Sequence, residues 1–206
     1  MVSWYDPSLD AVALLYAVLF FPVPLFWLAF HPFIAFWRRF GSWSYWVALP
    51  VWVISGVTLV ALRQTLFVER IPRNVLTWVL GIGLVSVGIG LNRCVEHEFS
   101  WRRLIGIPEL HRTRPGSGVI RSGIYARVRH PRYLEFMLTF LGLAFLTGAK
   151  GIFLLAFATI LLYLIVAPLE ERELREHYGA DYEAYTRAVP RFVPRLWRKA
   201  KPQMST

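Results

Sequence analysis

Two stretches of this sequence hold the polar residues best suited to chemistry. The first is GVIRSGIYARVRHPRYLEF, residues 118–136, in which Arg129 and His130 stand directly before Pro131. Proline favours the first position of a helix, so these two side chains are expected at a helix N-terminus, where exposed N–H groups and the helix dipole attract a carboxylate or phosphate. The second is APLEERELREHYGADYEAYTRAVPRFVP, residues 167–194, which sets Glu170 and Glu171 side by side where a long apolar run ends. Carboxylates at such a place commonly pair with nearby cations, here Arg129, Arg132 or Arg172, and stay at a membrane surface. Anything more specific requires the two stretches to meet.

The elements that must bring them together are membrane spans. Of 206 residues, 56% are hydrophobic and only 17% are charged, and the apolar residues come in blocks of about twenty rather than in a strand or amphipathic-helix period. The expected spans are 11–30, 45–62, 75–91, 133–148 and 151–169, each long enough to cross or nearly cross a hydrocarbon layer of about 30 Å. Pro22, Pro24 and Pro50 are expected to distort their helices, which a lipid-embedded bundle tolerates when neighbours satisfy the freed carbonyls. Gly148-Ala149-Lys150-Gly151 predicts a tight turn, so the last two spans form an antiparallel hairpin. The loop 92–132 enters that hairpin and the segment 170–206 leaves it. Topology alone therefore places the two polar stretches at its open end. The expected fold is an all-α polytopic bundle of about five transmembrane helices in a single membrane domain.

The net charge of +10 is distributed in a way that argues for a membrane rather than a nucleic acid as partner. Nineteen Lys and Arg fall in 31–44, 92–132 and 170–206, against four in 63–74 and at Lys150. By the positive-inside rule the N-terminus is outside and the C-terminus is cytoplasmic. The apolar stretch after MVSWYDPSLD is too long for a signal-peptide core, so the first span is expected to be retained.

Other signals read as structural. GIGLVSVGIG lacks the spacing of a dinucleotide loop and has no strand before it, so Gly81 with Gly88, and Ser86 with Gly90, are expected to let helices approach closely. Cys94 is the single cysteine, which excludes an intramolecular disulfide and a cysteine-rich zinc site. Cys94, Glu96, His97 and Glu98 at the exit of the third span read as a solvated interface, and no metal is expected. Trp43, Trp46, Trp78 and Trp101 read as interfacial anchors.

Taken in order, GIYARVRHPRY, the hairpin, the Glu170-Glu171 pair, and the pattern Tyr182, Tyr185, Val189-Pro190 and Pro194 resemble the isoprenylcysteine carboxyl methyltransferases and the related membrane phospholipid methyltransferases. The resemblance implies a multi-span enzyme that binds S-adenosyl-L-methionine from the cytoplasm and methylates a lipophilic acceptor reached from the membrane. It carries cofactor contacts onto Gly118, Val119, Ile120, Tyr125, His130, Pro131, Arg132, Tyr133 and Glu170. His130 and the helix start suit the cofactor's carboxylate, a glutamate suits its amino group or ribose hydroxyls, and Tyr125 and Tyr133 suit adenine or the sulfonium. Arg129, Glu135 and Glu171 are candidates for contact with the acceptor or for supporting the site. No base is assigned: a carboxylate acceptor needs none, whereas an amine or thiol must lose a proton.

The sequence departs from the family pattern at two positions. Glu135 stands where a glycine is common, two residues after Tyr133, which motivates an alternative reading as a scaffold or accessory subunit that keeps the fold. Val166 stands four residues before Glu170, where prenylcysteine enzymes carry an arginine that grips the substrate carboxylate. An apolar residue there suits a lipid amine, a thiol or a hydroxyl better than a prenylcysteine.

Overall fold

The structure, a computed structural model, describes residues 6–37, 39–41, 43, 46, 48–98 and 118–194. Trp101, residues 99–117 of the polar loop, the start of the second expected span at Tyr45 and the tail from 195 lie outside the described residues.

Helix α1 spans Pro7–Phe20, begun by Pro7 at its first position and by Asp6, whose carboxylate accepts from the Ser8 N–H at 2.9 Å. Pro22 lacks the N–H that would continue it, so the first apolar stretch divides and resumes as α2, Pro22–Phe30. Beside the break the Trp52 indole donates to the Leu19 carbonyl at 3.0 Å. A 3-10 turn His31–Phe33 and a short α3, Ile34–Trp37, close this arm. Helices α4 (Ala48–Ala61), α5 (Arg63–Val68) and α6 (Val75–Glu98) follow. A 3-10 turn, Gly123–Ala126, leads to α7, Pro131–Thr147, followed by α8, Lys150–Tyr178, and α9, Ala180–Ala188.

Each expected span coincides with a helical stretch, but not on equal terms. Pro7–Phe33, Val75–His97 and Lys150–Tyr178 are long and apolar enough to cross a membrane, whereas α4 has 14 residues and α7 has 17. The apolar faces point outward: Leu15, Ile54, Val79, Ile82, Leu154, Phe157 and Leu161 are all more than half exposed. Such a belt is stable only in lipid. The chain is a helical membrane protein. Helix α8 also runs past Leu169, where the span was expected to end, so Glu170, Glu171 and Glu173 ride on a continuous helix despite Pro168.

The core lies where α7 packs between α6, α1 and α8. A Cβ on Gly81 would stand 2.6 Å from the Leu146 side chain, one on Gly142 would stand 2.7 Å from Val85, and one on Gly88 would collide with Thr139. Gly81 and Gly88 thus permit the approach expected of them. Gly90 faces open space, so the Ser86–Gly90 pair does not contribute to the approach.

The turn between α7 and α8 is as tight as predicted. Gly148 takes φ +68°, a left-handed conformation that glycine adopts without strain. Residues 69–71 brace it: the Ile71 N–H donates to the Gly148 carbonyl at 2.8 Å and the Lys150 N–H to the Glu69 carbonyl at 2.9 Å. The hairpin's opposite end is open and polar.

Candidate functional site

The open end is organised around Glu171, which is completely buried. Its carboxylate accepts from Arg129 Nε and Nη2 at 3.1 and 2.9 Å, from Arg191 Nε and Nη2 at 2.8 and 2.7 Å, and from Arg175 at 3.4 Å. His130 Nε2 lies 3.1 Å from it. Arg129 also donates to the carbonyls of Thr186 and Val189 at 2.8 and 2.7 Å. The main chain repeats the clamp, with the N–H groups of Arg129 and His130 donating to the carbonyls of Pro190 and Arg191 at 2.9 and 3.1 Å. A buried carboxylate is tolerated only when its lone pairs are filled by cations in this way. The tail is thereby fixed over the start of α7.

Arg129 and Glu171, candidates for contact with the acceptor or for supporting the site, are engaged with each other and with the tail. Glu170 differs. Its Oε2 is shielded from solvent and pairs with His130 Nδ1 at 3.3 Å, and no arginine among the described residues reaches it. His130 is 6% exposed and stacks on Tyr133 at 5.2 Å between ring centres, and Tyr133 stacks on Tyr163 at 4.4 Å. Burial, the largest single influence, pulls the imidazole pKa down, but Glu170 and Glu171 together outweigh it and the pKa is raised. Pro131 is the first residue of α7, as its sequence position predicted, and no side chain caps that terminus. His130, Tyr133, Glu170 and the start of α7 thus form one cluster, walled by Phe192 from the tail.

The other expected cofactor residues lie elsewhere. Val119 packs on Tyr182, Tyr185 and Val189, and the Tyr125 carbonyl accepts from the Tyr185 hydroxyl at 2.7 Å. Arg121, close to Gly118 and Ile120 in sequence, donates to the carbonyl and carboxylate of Asp181 at 2.6 and 2.5 Å. This segment is docked on α9 beside the cluster. Arg132 and Glu135 lie across α7. Arg132 pairs with Asn92 of α6 and, at 3.4 Å, with Glu135, which also accepts from the Tyr16 hydroxyl at 3.3 Å. These four residues line a separate cavity of about 220 Å³ with Phe20, Ile89, Phe136 and Thr139. Arg132 does not reach Glu170 or Glu171, and Arg172 pairs with Glu176 instead.

One pair was not foreseen. His31, 7% exposed at the end of α2, places Nδ1 2.9 Å from Glu173 Oε1 and stacks on Trp27. A histidine closing an apolar run was the available signal, but nothing in the sequence tied it to a residue 142 positions away.

The fold and the clustered carboxylates and histidines define a membrane protein with a polar site at one end of its bundle. The phospholipid methyltransferase family model matches residues 76–181, just over half the chain, and the protein belongs to that family. The match takes in α6, which hydropathy alone had supported. Among curated relatives, methanethiol S-methyltransferase of Pseudomonas deceptionensis is 29% identical over 158 residues, which is 76% of this chain and 54% of that protein. Methanethiol S-methyltransferase 2 of Bradyrhizobium diazoefficiens is 38% identical over 78 residues, 38% of this chain and 29% of that protein. Methanethiol S-methyltransferase of Crocosphaera subtropica is 36% identical over 76 residues, 37% of this chain and 29% of that protein. The matched regions thus span between about a quarter and about half of these relatives' own lengths. No solved structure is a significant match.

Proposed function

We propose that this protein is an integral membrane methyltransferase that takes its methyl group from S-adenosyl-L-methionine and passes it to a lipophilic acceptor entering from the bilayer. The observation that carries this reading is the solvent-shielded Glu170 Oε2, paired with His130 at 3.3 Å beside Tyr133 and the uncapped start of α7 but reached by none of the arginines that fill Glu171. An ammonium suits that carboxylate, and the helix N-terminus attracts a carboxylate. The amino acid portion of S-adenosyl-L-methionine carries both charged groups, so the residues present fit it. When bound, it supplies a methyl group already activated by positive sulfur. The protein then has to align the acceptor and exclude water, for which the buried Tyr133, Tyr163 and Val166 are suited. The charge bias of the loops supports placing this end in the cytoplasm.

Among acceptors, a thiol is favoured. The relatives named above act on methanethiol, and Val166 stands where an arginine would be needed to grip a prenylcysteine carboxylate. Glu135, the motive for a scaffold reading, is engaged by Arg132 and Tyr16 across α7 from Glu170. It does not crowd the cluster.

Calorimetric titration of S-adenosyl-L-methionine into the purified chain in detergent tests the reading. His130→Ala and Glu170→Ala are each expected to weaken binding more than tenfold. A folded wild-type protein that fails to bind at millimolar cofactor would refute it.

A further inference from the structure

We propose that His31 is the group that takes the proton from the acceptor thiol, with Glu173 holding it in position. The inference rests on the methyltransferase reading and supplies what that reading lacks, since a thiol is a poor nucleophile until it loses its proton.

His31 and Glu173 form a carboxylate–imidazole pair. With its Nδ1–H donated to Glu173 Oε1 at 2.9 Å, the ring is fixed in the tautomer that leaves a lone pair on Nε2. That Nε2 is shielded from solvent and has no hydrogen-bond partner among the described residues, and the His31 side chain is only 5% exposed. A buried ring nitrogen left unsatisfied is costly, so a ligand that supplies its partner is the expected occupant. Stacking on Trp27, at 5.0 Å and 22° between ring planes, fixes the ring's orientation.

The pair also stands beside the cofactor cluster. Glu173 follows Glu170 by three residues, so the two carboxylates share a face of α8. Glu170 faces His130, and Glu173 faces His31. Trp27 packs against the group containing Tyr133, Tyr163 and Val166, so His31 borders the lining expected to hold the acceptor. Glu135 is a poorer candidate, because Tyr16 and Arg132 already occupy its carboxylate.

In the reaction the acceptor's S–H bond breaks and the proton passes to His31 Nε2. The sulfur's electron pair forms the new bond to the methyl carbon, and the pair of the broken methyl–sulfonium bond stays on the donor's sulfur. One positive charge is consumed and one is formed, on an imidazolium facing Glu173 with Glu170 nearby. Glu173 is the carboxylate held against it. Return of the proton to water completes the cycle.

The test uses the full chain in detergent, with His31→Asn and Glu173→Gln compared with wild type. Cofactor binding is measured by calorimetry, and methyl transfer from labelled S-adenosyl-L-methionine is measured to two probes, methanethiol and an aromatic thiol already ionised at neutral pH. His31→Asn is expected to lower kcat on methanethiol by about 100-fold or more, the usual scale of a lost general base. Cofactor affinity should stay within twofold, and the deficit should shrink at least tenfold with the ionised thiol. Glu173→Gln should show a smaller loss with the same selectivity. Equal losses on both thiols, or full activity in His31→Asn, would overturn the assignment, as would transfer confined to non-thiol acceptors. Failure of the wild-type protein to bind the cofactor would instead overturn the methyltransferase reading itself.

Discussion

The two ends of this bundle use the same residue types to different effect. At the closed end of the hairpin, Arg70 donates to both oxygens of Asp10 at 3.0 and 2.5 Å and to the Thr147 carbonyl at 3.0 Å, while Lys150 meets Glu69 at 2.9 Å. Donors and acceptors are matched there, and the Lys150–Glu69 pair is more than half exposed. At the open end a single buried carboxylate, Glu171, is shared by three arginines and a histidine, while Glu170 Oε2 faces His130 and His31 Nε2 has no hydrogen-bond partner among the described residues. The closed end is a clasp. The open end spends one carboxylate on structure and so holds its neighbours ready for a ligand.

The largest consequence should follow from Glu171. Replacing it with alanine leaves Arg129 and Arg191 without their shared counter-ion, in a setting where breaking a buried pair costs about 3–5 kcal/mol. The Glu171→Ala protein is expected to melt far below wild type in detergent and to lose the protection of its tail against proteolysis. An unchanged melting temperature would erase the distinction between the two ends. His130 should have the next largest effect, expressed through pH. Because its pKa is raised in the fold by Glu170 and Glu171 against the pull of burial, the protonated form is favoured. The stability it contributes is fully present below the ordinary imidazole pKa of 6.5 and is lost as pH rises through the raised value. Thermal melts of wild type and His130→Gln should therefore converge on the alkaline side. A gap that widens with pH would show that His130 is held neutral.

What the sequence disclosed divides along the same line. The hairpin, its glycine turn and the meeting of residues near 130 with those near 170 were legible, because apolar block length and a local turn decide them. The helical start at Pro131 was legible for the same reason, since a proline's preference is local. The division of labour between Glu170 and Glu171 was not, because adjacent helical positions point about 100° apart and only the packed neighbours decide which faces inward. Arg132 shows the same limit: it follows His130 by two residues and faces α6 instead of the cluster. His31 was invisible as a partner of Glu173 because their contact depends on how α2 meets α8, and the break at Pro22 sets that meeting in three dimensions.

The smallest expected effect sharpens the comparison most economically. Lys150 and Glu69 form a short ion pair at 2.9 Å, but both side chains stand mostly in solvent, at 58% and 69% exposure. An exposed pair gains little, because water screens the attraction and ordering two long side chains costs entropy. Beneath it the turn is already held by main-chain bonds from Ile71 to Gly148 and from Lys150 to Glu69, which do not depend on the Lys150 ammonium. Lys150→Ala should therefore leave the melting temperature in detergent unchanged within error, at low salt and at high salt alike. A marked loss confined to low salt would mean that the closed end, too, depends on its charges.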